Sequence, residues 1–266
     1  MKRVILLAML TVLLQACATR FELRNPAGAD GADADSAGPV MLFQSNSVAP
    51  RGGEGALTAD GLQPGDIILT SAPTLKSAGI RLMTLSSVSH AALYIGDSRI
   101  VEALGSGVQV RRLEELLLEE SVALVLRYPG LSPDQQLHIT DYALQKTGAR
   151  FNFVGVTLHV PYSVMRRVCE LPLLPGAVRD ACLRSIGVLN YVAASESRLF
   201  CSQLVIQAYQ RAGAHVTNAD PRLITPADIL HMREGDVPSV AVRKQLRSVG
   251  YLKYGPAATV VATLEQ

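Results

Sequence analysis

Two residues far apart in the sequence, Cys201 and His90, have the types and surroundings that thiol-based acyl transfer requires. Cys201 precedes the apolar stripe of a predicted helix over 199–212, which places it at the helix start and on its inner side. The partial positive charge of a helix N-terminus stabilises a thiolate, the nucleophile of such reactions. A cysteine at this position can equally be a small apolar core residue, so the helix alone leaves both roles open.

His90 lies at the beginning of an otherwise apolar predicted strand, residues 88–95. Alternate side chains of a strand point to the same face, which groups His90 with Ala92 and Tyr94. An imidazole at this position can serve as the base for a cysteine at the mouth of a site. It can also be a core histidine bonded to the backbone, and the strand by itself does not decide between these roles.

Glu102 is the candidate acceptor for the second ring nitrogen of a catalytic imidazole. It stands alone among apolar residues in a predicted strand, 99–104, after a Gly-Asp-Ser turn at 96–98. With a three-residue loop, Glu102 lies opposite Ala92 and diagonal to His90, whereas a two-residue loop sends it to the other face. The hypothesis therefore requires an odd loop or a bulge, and its alternative is a solvated carboxylate on an edge strand.

Short strands and helices surround these three residues and must position them. Strands are predicted at 67–69, 88–95, 99–104 and 122–128, and helices at 112–120, 133–147 and 199–212, with a further short helix from 226. Ser132 is the expected N-cap of the second helix, and Gly148 ends it. Residues 156–196 contain scattered apolar residues and three prolines, which indicates an insertion of short helices that covers a site or touches lipid.

Five segments form an ordered set along the chain. They are Leu62-Gln-Pro-Gly-Asp-Ile-Ile68, Ser89-His-Ala-Ala-Leu-Tyr-Ile-Gly-Asp97, Ile100-Val-Glu-Ala103, Gly107-Val108 and Phe200-Cys-Ser-Gln-Leu-Val205. The set resembles the circularly permuted NlpC/P60 papain-like cysteine hydrolases, in the YiiX/YebB-like or YaeF-like branch that includes lipoproteins. In ordinary members the cysteine helix comes first, whereas here His90 precedes Cys201, which is the permuted order.

The resemblance implies an α+β fold in which a small antiparallel sheet packs against the helix that carries the cysteine. It implies that Cys201 is the nucleophile, that His90 is the base and that Glu102 occupies the third polar position. Thr225-Pro-Ala-Asp228 resembles the closing motif of the branch. The long insertion and the small Ala91-Ala92 pair depart from the pattern.

Three functions fit these residues. The first is hydrolysis of an amide bond, expected in cell-wall peptide, through a Cys-His-Glu site and an acyl-enzyme without a cofactor. The second is a lipid thioesterase or acyltransferase, because permuted relatives include such enzymes and residues 156–196 could meet a membrane. The third is a non-catalytic envelope scaffold that kept the fold.

The N-terminus predicts export and lipid anchoring. Lys2-Arg3 precede an uncharged apolar run, 4–14, which is typical of a secretory signal and too short to span a bilayer. The ending Leu14-Gln-Ala-Cys17 resembles the lipobox of bacterial lipoproteins, which implies cleavage before Cys17 and acylation of that residue. The residue after Cys17 is Ala18 and not Asp, which by resemblance to other lipoproteins points to the outer membrane, and we expect the protein on its periplasmic face.

The predicted organisation is a signal peptide (1–16), a lipidated flexible tether (17–60) and a hydrolase domain (61–266) interrupted by the insertion. The tether contains a small, acidic run at 27–39 that cannot bury enough apolar surface to order itself. Of the other cysteines, Cys169 and Cys182 lie thirteen residues apart and either pair or remain buried thiols.

The composition is that of a globular domain, with 48% hydrophobic and 18% charged residues. Of the 25 basic residues, Lys2 and Arg3 leave with the predicted signal, so the remainder balances the 23 acidic residues. A formally neutral chain without a dense Lys/Arg run is not expected to bind nucleic acid. Because the five histidines are dispersed and no Cys-x-x-Cys occurs, no metal site is predicted.

Overall fold

The structure is a computed structural model, and it describes most of the predicted hydrolase domain. The described residues are 19–23, 39–43, 55–73, 86–169, 177–178, 181–183, 185, 198–235, 237 and 239–254. The predicted signal peptide, Cys17 and most of the insertion beyond residue 169 lie outside them. Within these ranges, no helix combines the length and apolarity that crossing a membrane requires.

The strands are β1 (Thr19–Leu23), β2 (Pro39–Phe43), β3 (Ile67–Ser71), β4 (His90–Gly96), β5 (Arg99–Leu104), β6 (Gly107–Arg112), β7 (Val122–Arg127), β8 (Arg150–Phe151), β9 (Arg198–Leu199) and β10 (Arg247–Tyr254). The α-helices are α1 (Leu113–Glu119), α2 (Pro133–Gln145), α3 (Phe153–Cys169), α4 (Cys201–Arg211) and α5 (Pro226–His231). The described residues form a six-stranded sheet in the spatial order β10-β7-β3-β4-β5-β6. Neighbouring strands run antiparallel throughout it, so the α+β architecture expected from the sequence is confirmed.

Each face of the sheet buries its own apolar cluster, because side chains alternate along the strands. Leu69, Ala91 and Leu93 lie on the face that packs against α4. Ile68 and Ala92 lie on the other face, which packs against α1. Burying one such Leu or Ile side chain contributes about 1.5–3 kcal/mol, so both helices are held mainly by apolar contacts.

The β4–β5 hairpin has the register that the predicted site requires. Ala92 lies opposite Glu102, but nearer the turn Gly96 lies opposite Arg99, so a bulge shifts the ladder by one residue. Asp97 and Ser98 both have positive φ, 52° and 51°, as a tight two-residue turn of type I′ requires. The tight turn and the bulge together replace the three-residue loop.

Strand β10 was not predicted from the sequence, and it forms an edge of the sheet beside β7. Its pairing with β7 contains two register shifts, between Ser248 and Gly250 and between Tyr251 and Lys253. Each bulge reverses the face to which the following residues point. The apolar residues of β10 therefore lack the simple alternation by which strands are found in a sequence.

The predicted tether contains described structure, because β1 pairs with β2 in an antiparallel two-stranded sheet. The second strand includes Val40 and Phe43, which are good strand formers. The expectation of a tether depends mainly on the acidic run at 27–39, of which residues 27–38 lie outside the described residues.

The insertion begins with the single helix α3 rather than with several short helices. On this helix, Arg166 donates hydrogen bonds to both carboxylate oxygens of Asp228, at 2.9 and 2.8 Å, and both side chains are buried. Asp228 also accepts from the Thr225 backbone at the start of α5. At the last residue of α3, one turn beyond Arg166, Cys169 forms a disulfide with Cys182, one of the two states left open by the sequence.

We predict that Asp228→Asn lowers the free energy of unfolding by about 3–5 kcal/mol, because it leaves the Arg166 charge buried without its carboxylate. Urea denaturation followed by circular dichroism measures the loss. The matched control is Glu114→Gln, since Glu114 pairs with Arg112 at 3.2 Å on the surface, where a pair contributes less than about 1 kcal/mol. Equal losses in the two variants would contradict the prediction.

Candidate active site

The position of Cys201 is set by the short segment that precedes α4. In this segment, Leu199 pairs with Phe151 in the parallel β8–β9 ladder, and its carbonyl accepts from the Asn152 N–H at 3.1 Å. Helix α4 begins at Cys201 itself, and the Ser202 hydroxyl donates to the Ile224 carbonyl at 2.7 Å. The sulfur therefore lies in the first turn of a firmly packed helix, and the residue remains partly exposed.

His90 contacts both Cys201 and Glu102. The distance between His90 Nε2 and Glu102 Oε2 is 2.6 Å. The imidazole and the Cys201 thiol are also within hydrogen-bonding reach of each other. Because Nε2 faces the carboxylate, Nδ1 is the ring nitrogen left for the sulfur.

The thiol and the carboxylate approach His90 from opposite faces of the sheet. Helix α4 packs on the face of Ala91, whereas Glu102 is opposite Ala92 and shares the face covered by α1. The two can meet because His90 is the first residue of β4, and at the end of a strand groups from both faces of the sheet can reach the same side chain.

Glu102 is fully buried and held by a second partner, Arg111. The Arg111 guanidinium donates to Glu102 Oε1 at 3.0 Å. The same guanidinium reaches Glu119 Oε1 at 2.7 Å and Glu115 Oε2 at 3.3 Å, both on α1. A row of alternating charges thus runs from the imidazole to the helix that covers this face.

The electrostatics of the site favour a thiolate and an imidazolium. Burial lowers the pKa of His90, but the Cys201 sulfur and the Glu102 carboxylate outweigh it and raise the pKa well above its ordinary value. Burial raises the pKa of the Cys201 thiol. The charge of His90 and the backbone N–H groups of Ala91 and Ser202 outweigh this effect and bring the thiol pKa below its ordinary value.

The carboxylate is stabilised in the same way. Burial would raise the pKa of Glu102, but hydrogen bonds and charge from His90 and Arg111 lower it overall. Glu102 is therefore ionised next to a positively charged imidazole, which is the state needed to hold that ring charged and oriented.

Arg111 was missed by sequence reasoning, although a signal for it exists. A two-residue turn at Gly105-Ser106 pairs Glu102 with Gln109, and Arg111 is then a diagonal neighbour on the same face. The register of the β5–β6 hairpin is therefore the sequence signal that points to Arg111.

Glu120 was also missed by sequence reasoning. It lies close enough to the site for the charges there to shift the pKa of its carboxyl. It follows α1, and it is 8% exposed. Among the described residues, its Oε2 atom has no hydrogen-bond partner. Burial raises the pKa of this carboxyl, and the charges of Glu102 and Glu119 add to the effect, although His90 and Thr70 oppose it.

Within the part of the chain that the structure describes, no group of three or more His, Cys, Asp or Glu side chains could hold a metal ion. The groups that the site does bring together are a thiol, an imidazole and a carboxylate, which are those of thiol-based acyl transfer.

The fold and the site define a papain-like cysteine hydrolase with its elements in permuted order. A family model described as "Permuted papain-like amidase enzyme, YaeF/YiiX, C92 family" matches residues 61–157. The Escherichia coli (strain K12) protein named "Probable lipoprotein peptidase YaeF" is 34% identical over 247 residues, which cover 92% of this chain and 90% of that protein. The chain belongs to the YaeF/YiiX family of permuted papain-like amidases, and it is a hydrolase of the cysteine peptidase/amidase type.

A solved structure is also similar to this chain. It is described as "metalloprotein yiiX from Escherichia coli O157:H7", is 21% identical, and aligns over 73% of this chain and 98% of that one with a TM-score of 0.43.

We predict that Glu120→Gln stabilises the protein increasingly as the pH rises. A carboxyl whose pKa is raised by folding contributes fully below the pKa of the unfolded chain and loses that contribution as the pH rises through the folded pKa. The amide does not titrate, so the variant and the parent should melt alike in acid and diverge toward neutral pH. Thermal melts from pH 4 to pH 8 measure the difference, and curves that stay parallel would contradict the prediction.

Proposed function

We propose that Cys201, His90 and Glu102 are the catalytic nucleophile, base and orienting carboxylate for cleavage of an amide bond in cell-wall peptide. The observation that carries the proposal is the continuous chain of contacts from Cys201 through His90 to Glu102 and Arg111. A cysteine that is partly exposed as a residue and has a depressed thiol pKa at a helix start is suited to attack a substrate.

The proposed reaction begins with the Cys201 proton already on His90 Nδ1. The thiolate attacks the carbonyl carbon, and the carbonyl π electrons move to oxygen, giving a tetrahedral intermediate. The backbone N–H of Cys201 at the start of α4 stabilises this oxyanion. Collapse of the intermediate breaks the C–N bond, and His90 gives its proton to the departing amine.

The second half of the reaction releases the acyl group from sulfur. His90 removes a proton from a water molecule that attacks the thioester carbon. The new tetrahedral intermediate expels the Cys201 sulfur and leaves a carboxylic acid, and the thiolate–imidazolium pair is restored as the product ionises. Glu102 stays ionised throughout, because its function is to orient the ring and stabilise its charge.

Location at the cell envelope supports a cell-wall peptide as substrate. The relative from Escherichia coli is named a lipoprotein peptidase, and the first residues of this chain resemble a signal with a lipobox at Cys17. A domain held by lipid on the periplasmic face of the outer membrane would have the peptides of the wall within reach. In this proposal the membrane is a partner only through the anchor.

We predict that Cys201→Ala abolishes hydrolysis and leaves the fold intact, because it removes the nucleophile from a partly exposed position without adding volume. The measurement is mass spectrometry of peptidoglycan fragments incubated with the full chain. For the parent only, we expect an amine product and an acid product whose masses add up to that of the substrate plus one water. Circular dichroism serves as the folding control.

Two outcomes of this experiment would overturn parts of the proposal separately. Undiminished hydrolysis by the Cys201→Ala variant would remove the thiol mechanism. Release of fatty acid from phospholipid, with peptidoglycan fragments left intact, would keep the mechanism and replace the substrate.

We predict that Glu102→Gln narrows the pH range in which Cys201 reacts with iodoacetamide. The parent has an enlarged range because His90 has a raised pKa and Cys201 a lowered one. Without the carboxylate, the imidazolium is less stable, so the His90 pKa falls and the Cys201 pKa rises. The acid limb of the pH profile should therefore move to higher pH. If it moves by about one pH unit, alkylation becomes about tenfold slower at pH values below the limb.

Glu115→Gln is the matched control, because Glu115 contacts Arg111 in the same network but is 54% exposed in its side chain. Its pH profile should coincide with that of the parent. A Glu102→Gln profile that also coincides would show that the carboxylate does not tune the pair.

A further inference from the structure

Helix α3 presents an exposed apolar face to solvent. Val154, Met165 and Val168 are 51%, 45% and 53% exposed. At 100° per residue these three positions fall within about 60° of one another around the helix axis. Phe153, at the first residue of the helix, is 60% exposed beside them. Large apolar side chains that share one exposed face are typical of an interaction surface.

A second face of α3, about 90° round the helix axis from the exposed one, is locked to the domain. Tyr162, Arg166 and Cys169 are buried there, and the Arg166–Asp228 pair and the Cys169–Cys182 disulfide hold the helix at that side. The orientation of the exposed face is therefore set by the fold.

The exposed face begins near Cys201. Phe151 pairs with Leu199 two residues before Cys201, and α3 starts two residues after Phe151. The rings of Phe151 and Phe153 make an edge contact with centroids 4.9 Å apart. The first turn of α3 and the partly exposed Cys201 consequently lie on adjoining parts of the surface.

Two arginines flank the start of this face. Arg150 and Arg198 are directly paired in the β8–β9 ladder, and both are exposed. Like charges at paired positions repel, so a nearby anion relieves the arrangement. Apolar side chains next to exposed basic ones are the composition by which a helix lies in the interface of an anionic bilayer.

We propose that the exposed face of α3, together with Arg150 and Arg198, docks on an anionic lipid surface and turns the mouth of the Cys201 site toward it. The apolar side chains enter the boundary between headgroups and acyl chains, and the two guanidinium groups bind lipid phosphates. The contact differs from the predicted anchor at Cys17, because it orients the folded domain. It does not depend on the proposed substrate or on the catalytic roles.

The test uses the absence of tryptophan from the chain, which makes one introduced tryptophan a unique reporter. The Val168→Trp variant of the full chain is mixed with vesicles of phosphatidylethanolamine and phosphatidylglycerol. The acyl chains of these lipids are brominated, and bromine quenches the emission of a tryptophan that enters the bilayer. Emission should be quenched by about half relative to unbrominated vesicles, because such a helix inserts about 5–10 Å. Leu118→Trp is the matched control, since Leu118 is 73% exposed on α1, at the other face of the sheet, and should not be quenched.

Variants of the arginines test the charge contribution. Arg150→Gln combined with Arg198→Gln, in the Val168→Trp background, should reduce quenching in phosphatidylglycerol vesicles and leave any quenching in phosphatidylcholine vesicles unchanged. The Val168→Trp and Leu118→Trp variants carry the same N-terminus and therefore the same anchor. The difference in quenching between them consequently reports docking separately from anchoring.

Three results would overturn the proposal. Quenching at neither position shows that the face stays in water. Equal quenching at both positions shows adsorption without a defined orientation. A blue shift of the Val168→Trp emission that grows with protein concentration and needs no vesicles shows that a second copy of the chain covers the face.

Discussion

The buried carboxylate of Glu102 is the constraint on which the rest of the site depends. A fully buried charge is tolerated only when its oxygens are matched by donors and opposite charge, and here His90 takes one oxygen and Arg111 the other. The arrangement holds the ring, keeps it protonated and thereby stabilises a thiolate at Cys201. Stability and reactivity are thus linked through one side chain.

The sheet brings this carboxylate and the thiol together from its two opposite sides. Helix α4 covers one face and α1 the other, and each face has its own apolar core. Only the end of a strand lets groups from both faces meet, and His90 is the first residue of β4. The bulge before Gly96 is equally necessary, because without it Glu102 would point into the core on the side of α4.

Much of the fold could be predicted from periodicity and caps, and the failures have physical causes. Helix α2 begins at its predicted Ser132 cap because that capping box is local in sequence. Strand β10 was missed because two bulges disrupt its alternation. Arg111 was missed because its role depends on a second hairpin register, and Glu120 because no local pattern shows which acid becomes buried.

The sequence by itself determined the candidate nucleophile, base and carboxylate and the elements that carry them, because these depend on residue type and on spacing within single strands and helices. It also limited the hairpin to two registers. Only the tertiary structure decided between them, joined residues 90 and 201 across the sheet, paired Cys169 with Cys182 and buried Arg166 against Asp228. Each of these contacts joins segments that are brought together only when the chain packs. Local sequence patterns cannot predict such contacts, because they carry no information about distance in space.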